Sequence, residues 1–263
     1  MFLKTTDADL FVSSFGQGGP TLVAHGGWVG SGELWLAPFE ILSRRWRCIT
    51  YDHRGTGSTV HRSGTITSDL LLDDLFRVLD ALQVERCVLA GESSGAMTVL
   101  QAALRAPERF TGLVLVDPRY QGGRSVGAAR LIGGCRLDFA ATMSGFVDAC
   151  TPEPDCAAER AWGKRIVMRS NAEHAVQLME CVEHLQLEHR LAEIRIPTLL
   201  IHGTQDVITP VANSQAIAAA IEGAQLVMID GAGHVPTLTR PEAVAQAIER
   251  RFGGADGRPP ASR

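Results

Sequence analysis

The five-residue segment GESSG at positions 91–95 constrains the fold and chemistry of this chain more than any other segment. It fits the pattern G-x-S-x-G, in which a serine lies on a tight turn between a strand and a helix. Residues 86–90 form a short apolar run typical of a buried strand, and residues 96–106 have the composition of a helix. The glycines allow both elements to approach closely. The pattern therefore predicts that the Ser93 hydroxyl projects from one edge of a sheet.

Apolar strands alternate with helices on both sides of this turn, which indicates an α/β fold with a mostly parallel central sheet flanked by helices. The alternation stops after the strand at 112–116, and residues 119–190 have helical patterns without strand signals. We interpret these residues as a helical cap over the carboxyl ends of the strands, where ligands bind in such folds. Residues 1–118 and 191–252 then form the core. Residues 253–263, rich in Gly and Pro, are expected to form a flexible tail.

Composition and charge limit the partners of the protein. Of 263 residues, 45% are hydrophobic and 21% are charged, as in a soluble globular protein. The net charge of −4 argues against nucleic acid as a partner, and the lack of a long apolar run argues against a membrane span. Without a secretory signal, we expect a cytoplasmic protein with reduced thiols, although Cys150 and Cys156 are close enough in sequence to leave a disulfide open. Nothing in the sequence indicates the oligomeric state.

Two loops downstream of Ser93 supply the groups that would activate its hydroxyl. A serine needs a general base, and the base needs a third group to orient it. Asp206 follows the strand at 198–201, and His234 follows the strand at 225–229, so both residues should lie at the same sheet edge as Ser93. We therefore predict Ser93, Asp206 and His234 as catalytic residues. Asp117 also ends a strand and is a rival acid, although a structural role in its turn is favoured.

Attack on a carbonyl also requires hydrogen-bond donors for the developing oxyanion. The residue after the nucleophile supplies one backbone N–H, which is that of Ser94. The loop at 25–28 follows an early strand, and Gly27 is our choice for the second donor because a bare backbone approaches substrate easily. Trp28 could donate instead or form a wall of the acyl pocket. We also predict Met97 and Val235 as substrate-binding residues.

These motifs resemble the α/β-hydrolase superfamily, in particular its serine esterases and lactonases with a helical lid. The resemblance covers about residues 9–252 and is carried by the segments HGG at 25–27, DHRGTGS at 52–58, GESSG at 91–95 and GAGH at 231–234, together with Asp206. It implies a cap inserted after the sixth core strand and favours Asp206 over Asp117 as the acid. It requires no cofactor and no metal.

The function that the sequence favours is cleavage of a small-molecule carboxylic ester or lactone through an acyl-enzyme. Serine rather than aspartate at position 93 argues against dehalogenases and epoxide hydrolases. A C–C bond hydrolase for β-diketone-like substrates, a thioesterase and a cofactor-free perhydrolase use similar triads and remain open. A small-molecule binding module on an inactive hydrolase scaffold is the non-enzymatic alternative, and labelling by a serine-directed phosphonate would exclude it.

Overall fold

The computed structural model describes residues 1–254, and the predicted tail from residue 255 onward lies outside them. Within the described range nine strands form one sheet. They are β1 Phe2–Lys4, β2 Ala8–Phe15, β3 Thr21–His25, β4 Arg47–Tyr51, β5 Val60–His61, β6 Cys87–Glu92, β7 Phe110–Val116, β8 Thr198–Gly203 and β9 Gln225–Ile229.

Ten α-helices accompany these strands in the described part of the chain, with three short 3-10 turns between them. They are α1 Leu36–Leu42, α2 Ser68–Ala81, α3 Gly95–Arg105, α4 Val126–Leu137, α5 Phe139–Cys150, α6 Ala157–Val167, α7 Ala172–Glu180, α8 Val211–Ala220, α9 Pro236–Thr239 and α10 Pro241–Phe252. None of the described helices is long and apolar enough to cross a membrane. All six cysteines are free thiols, so Cys150 and Cys156 form no disulfide.

The strand order is β1-β2-β4-β3-β6-β7-β8-β9, with β5 paired to β2 at the side. The six strands from β4 to β9 in this order run parallel, whereas β2 is antiparallel to both of its neighbours, β1 and β4. The prediction of a mostly parallel sheet flanked by helices is confirmed.

Successive residues of the central strands enter two different hydrophobic clusters. In β7, Leu113 and Leu115 face α2, α3 and α8, whereas Val114 and Val116 face α1 and α10. Side chains of a strand alternate between the two faces of a sheet, and here helices cover both faces. Every position of β7 except Thr111 is therefore buried, which explains why the apolar runs in the sequence are continuous.

Helices α4 to α7 form the cap between β7 and β8, and β7 is the sixth strand, in chain order, of the eight on the continuous path of the sheet. The cap rests on a third hydrophobic cluster. In it Ile132, Met143 and Val176 from the cap pack with Trp28 and Val29 from the core. The cap therefore lies over the loops that follow the parallel strands.

Candidate active site

Ser93 lies on the turn between β6 and α3, with its backbone in the left-handed region at φ 53. Such a conformation costs a side-chain-bearing residue about 1–3 kcal/mol, so the surroundings must enforce it. A Cβ on Gly91 would lie 2.6 Å from Val99 Cγ2, and a Cβ on Gly95 would lie 2.2 Å from Gly26 O. The close packing of β6 against α3, and of α3 against the loop at Gly26, therefore requires glycine at both positions. The turn leaves the Ser93 side chain only partly buried.

Three side chains from separate loops meet at this turn. His234 Nε2 lies 2.9 Å from Ser93 Oγ, and His234 Nδ1 lies 2.8 Å from Asp206 Oδ2. Because an ionised carboxylate can only accept hydrogen bonds, Nδ1 carries the proton and donates it to Asp206. The unprotonated Nε2 then accepts from the Ser93 hydroxyl. The structure thus brings the predicted serine, histidine and acid into one hydrogen-bonded chain.

The environment of Asp206 keeps its carboxylate charged. Burial alone raises the pKa of Asp206, but hydrogen bonds from His234, Thr209 and the Ile208 amide outweigh burial and lower it to about 2. The Thr209 hydroxyl lies 2.7 Å from Oδ2, and the amides of Ile208 and Thr209 lie 2.7 and 3.1 Å from Oδ1. These four contacts, counting that of His234, fix the carboxylate in position.

Asp117, the rival acid, is close to these three residues but is not part of their hydrogen-bonded chain. Its Oδ1 accepts a hydrogen bond of 2.9 Å from the Gly203 amide, and its Oδ2 has no hydrogen-bond partner among the described residues. Burial, followed by the negative charge of Asp206, raises the pKa of Asp117 well above its usual value. The pKa of Asp117 is thus shifted toward the neutral acid, whereas that of Asp206 is shifted toward the carboxylate. The structure places Asp206, not Asp117, in contact with His234.

Asp117, Asp206 and His234 are also the group within residues 1–254 whose potential metal-ligand atoms lie close together, within 4.8 Å of one another. The fit to a metal is poor. The Asp206 oxygens already accept four hydrogen bonds, and a metal ligand must be deprotonated, which the raised pKa of Asp117 disfavours. These residues are better suited to hold the imidazole than a cation.

Backbone amides face the space beside Ser93 from two sides. A Cβ added to Gly27 would lie 3.4 Å from the Ser93 Cβ, which places the Gly27 backbone next to the serine. The amides of Gly27, Trp28 and Ser94 have no hydrogen-bond acceptor among the described residues. The pair predicted for the oxyanion, Gly27 and Ser94, is thus free to donate, and Trp28 remains the alternative to Gly27.

Two buried histidines brace the loop that carries Gly27. The rings of His25 and His53 stack with their centroids 4.7 Å apart, and His53 Nε2 lies 3.2 Å from Trp28 O. Burial lowers the pKa of His25 to about 4, and that of His53 well below its usual value. Both rings are therefore neutral, and their contacts are with the loop rather than with the reacting atoms.

Two cavities meet at Ser93, and the Trp28 and Phe146 rings line both. These rings are perpendicular, with centroids 5.2 Å apart. The smaller cavity, about 480 Å³ including open solvent, is largely apolar, with Val235 and His234 in its wall. The larger, about 1480 Å³ including open solvent, lies under α4 and α5. The predicted wall residues Trp28 and Val235 therefore line a cavity at the serine.

Met97 does not line either cavity, and the prediction that it binds substrate is corrected. Its side chain is fully buried and packs in the core cluster that also contains Leu89 and Leu100. The physical reason is the helical phase of α3. This helix leaves Ser93 at the sheet edge, and position 97 on it points down into the core.

Two acidic residues hold the His234 loop, and sequence reasoning missed one of them, Glu153. Glu153, in the cap, is buried, and its Oε1 accepts hydrogen bonds of 2.8 Å from the Gly233 amide and from the Thr239 hydroxyl. Glu92, next to Ser93, accepts a hydrogen bond of 2.7 Å from the Thr237 hydroxyl. This contact gives Glu92 a structural role in holding the segment after His234. The one sequence signal for Glu153 is its place between two prolines, which reads only as a helix break.

Comparison with known proteins agrees with this architecture. A sequence model of the Alpha/beta hydrolase family matches residues 22–247. The chain belongs to this family. Its relatives include a protein of Rhizobium rhizogenes named "Putative carbamate hydrolase RutD", which is 29% identical over 88% of this chain and 91% of its own length.

Solved structures show the same fold over nearly the whole chain. A hydrolase from Pseudomonas aeruginosa PA01 has a TM-score of 0.88 and 29% identity, covering 97% of this chain and 98% of its own. The enol-lactonase from Burkholderia xenovorans LB400 has a TM-score of 0.84 at 23% identity, covering 94% and 98%. Family membership and these relatives identify the protein as a hydrolase.

Proposed function

We propose that this hydrolase cleaves a carboxylic ester or lactone through an acyl-enzyme formed on Ser93. The observation that carries the proposal is the unbroken hydrogen-bonded chain from Ser93 through His234 to Asp206. Such a chain is what converts a weakly nucleophilic hydroxyl into a reactive one.

Each residue then has one role in the reaction. His234 Nε2 removes the proton from Ser93 Oγ as this oxygen bonds to the substrate carbonyl carbon. The amides of Ser94 and Gly27 donate to the oxyanion, a contribution of about 3–4 kcal/mol for each donor. Collapse of the tetrahedral intermediate breaks the bond between the carbonyl carbon and the alcohol oxygen. The alcohol oxygen receives the proton from His234. Water then attacks the acyl-enzyme by the same route and releases the acid.

The smaller cavity favours an apolar group next to the scissile carbonyl. Trp28, Val235 and Leu238 line it together with Ser93. A largely apolar wall with a few placed polar groups is typical of a small-molecule pocket. This supports an acyl or ring substrate of moderate size and a binding role for Trp28 and Val235.

The relatives bear on the substrate class only by their names. One structural neighbour is an enol-lactonase, whose printed name fits a lactone substrate. A sequence relative is named as a carbamate hydrolase, which makes carbamates a second candidate class for the same attack on a carbonyl carbon. Thioesterases, β-diketone hydrolases and perhydrolases use similar triads, so thioesters, β-diketones and esters with hydrogen peroxide belong in the same substrate screen.

A substrate panel with a Ser93 variant tests the proposal. p-Nitrophenyl esters of increasing chain length, several lactones and a p-nitrophenyl carbamate are assayed with the wild type and with Ser93→Ala. We expect ester or lactone turnover that falls by at least about 10⁴-fold in the variant. A serine-directed phosphonate should add its mass at Ser93 in the wild type alone. Equal turnover by both proteins would contradict the proposal.

A further inference from the structure

The larger cavity at Ser93 has a one-sided charge that the reaction does not explain. Two charged residues line it, Arg119 and Arg130, and no acidic residue does among the described residues. The chain as a whole carries a net charge of −4, so a wall with cations alone is not a reflection of composition. A cavity lined by one sign of charge attracts ligands of the opposite sign.

Arg119 is held in place by neutral acceptors. Its backbone N–H donates to Ser93 O over 2.9 Å, which anchors the residue beside the nucleophile. Its guanidinium donates to the carbonyl oxygens of Gln121 and Gly123 and to the sulfur of Met179. Two of the five guanidinium N–H groups remain, one on each terminal nitrogen. Such a pair suits a carboxylate, which accepts two parallel hydrogen bonds from an arginine.

No carboxylate lies within 4 Å of this half-buried cation in the described part of the chain. Burial lowers the pKa of Arg119, and the more distant charge of Glu183 offsets this only in part. Glu183 itself is paired with Arg124, at 2.6 Å. An anion that entered the cavity would therefore find a fixed cation that lacks a direct counter-ion.

Arg130 on α4 adds a second cation at the same wall. The neighbouring arginines Arg124 and Arg136 both pair with Glu180, whereas Arg130 is exposed and has no ion pair within residues 1–254. It is thus the arginine of this segment that remains available to a ligand.

We propose that the larger cavity binds a carboxylate borne by the substrate, away from the scissile carbonyl, with Arg119 as the main contact and Arg130 as a second one. The inference rests on the proposed ester or lactone cleavage and narrows its substrate class to acidic esters or lactones with a carboxylate arm.

Matched substrates test this specificity. p-Nitrophenyl esters of a dicarboxylic acid, with the far carboxylate free or converted to the primary amide, are compared with a second series that carries the same change on the alcohol side. We expect kcat/KM to favour the free carboxylate about 10- to 100-fold in at least one series, as for a charge-assisted hydrogen bond. The preference should weaken as ionic strength rises.

Variants at three arginine positions locate the preference. In Arg119→Met the ratio of kcat/KM between acid and amide should fall by about 10-fold or more, and Arg119→Lys should restore part of it. Arg130→Met, at an exposed position with no ion pair within residues 1–254, should lower the ratio about 2- to 5-fold. Arg136→Met is the matched control and should leave the ratio unchanged, since Arg136 lies outside the cavity wall and its partner Glu180 keeps the ion pair with Arg124. A wild type without preference in both series, or a preference that survives Arg119→Met and Arg130→Met together, would overturn the inference.

Binding to Ser93→Ala separates this inference from the proposed function. Calorimetry with this variant compares a dicarboxylic acid monoester with the corresponding monoester monoamide, neither of which needs to be cleaved. Tighter binding of the acid supports the anion site even where no ester is turned over. Equal binding of the two ligands counts against it, whatever the wild type hydrolyses.

Discussion

The site around Ser93 has two sides, one formed by loops of the sheet and one formed by helices of the cap. The two sides differ in polarity and in how far hydrogen bonds hold their side chains in place. The sheet side carries the groups proposed to react on short loops after β6, β8 and β9, and hydrogen bonds fix each of them. The cap side supplies walls, with Phe146 and Val147 from α5 and Arg130 from α4. We infer that loops of the sheet determine the reaction, whereas the packing of the cap helices determines which molecules can reach Ser93.

The two sides are joined by a few polar contacts as well as by the third hydrophobic cluster. Glu33 in the core accepts a hydrogen bond of 3.0 Å from Trp162 Nε1 and pairs with Arg169, both in the cap. The Cys150 carbonyl accepts a hydrogen bond of 2.8 Å from the His234 amide. The cap therefore directly supports His234, the proposed base, so the two sides of the site are not independent of each other.

The largest effect should come from the two acids on the sheet side. Asp206→Asn removes the charge that orients His234, and we expect kcat to fall by about 10⁴-fold, the loss known for this change in a serine-protease triad. Asp117→Asn should cost less than about 10-fold, because Asp117 makes no hydrogen bond to His234 and the amide keeps the acceptor for the Gly203 amide. Steady-state kinetics on one ester measures both. Similar losses in the two variants would show that Asp117 shares the role of Asp206.

The contrast between the two sides also explains what the sequence can predict. The ends of β8 and β9 can be placed from apolar runs, and a residue just past a strand end has only one edge of the sheet to occupy. Asp206 and His234 follow from that. The prediction for Met97 is wrong because helical periodicity identifies the buried face of α3 but not the direction of that face relative to the Ser93 turn.

Glu153 and Arg119 could not be predicted at all, because their side chains contact residues far away in the chain. Glu153 meets the Gly233 amide 80 residues away in the chain. Arg119 is placed by carbonyl oxygens of its own loop and by Met179 on α7. Neither position has a spacing or residue pattern that distinguishes it from ordinary surface charge.

The next effect concerns stability on the sheet side. Burial raises the pKa of Glu92 from 4.5 to about 7. Between these values the unfolded chain has lost the proton and the folded chain retains it, so the free energy of unfolding falls as pH rises, by about 3 kcal/mol in total. Glu92→Gln removes this titration and keeps an acceptor for Thr237. Urea unfolding at pH 4.5 and 7.5 should show a decline that is smaller in the variant, and parallel curves would contradict the assignment.

A smaller effect tests the support that the cap gives to the base. Glu153→Ala removes the acceptor for the Gly233 amide, so His234 should lose its fixed position and kcat should fall about 10- to 100-fold with little change in KM. Glu153→Gln retains an acceptor and should recover most of the rate. Both variants are assayed at a temperature where circular dichroism shows that they are folded. If Glu153→Ala only lowers stability, its kcat under these conditions should equal that of the wild type.

The smallest effect compares neighbouring glycines within the cap. A Cβ on Gly133 would meet nothing within 4 Å, and the residue is exposed in the middle of α4. Gly133→Ala should therefore stabilise the protein by about 0.5–1 kcal/mol, because alanine loses less backbone entropy in a helix. A Cβ on Gly134 would lie 2.6 Å from Thr142 Oγ1 on α5, so Gly134→Ala should destabilise it. Thermal unfolding of both variants measures this difference. If both raise Tm, α4 and α5 are free to move apart, and the wall of the larger cavity is less rigid than that of the sheet side.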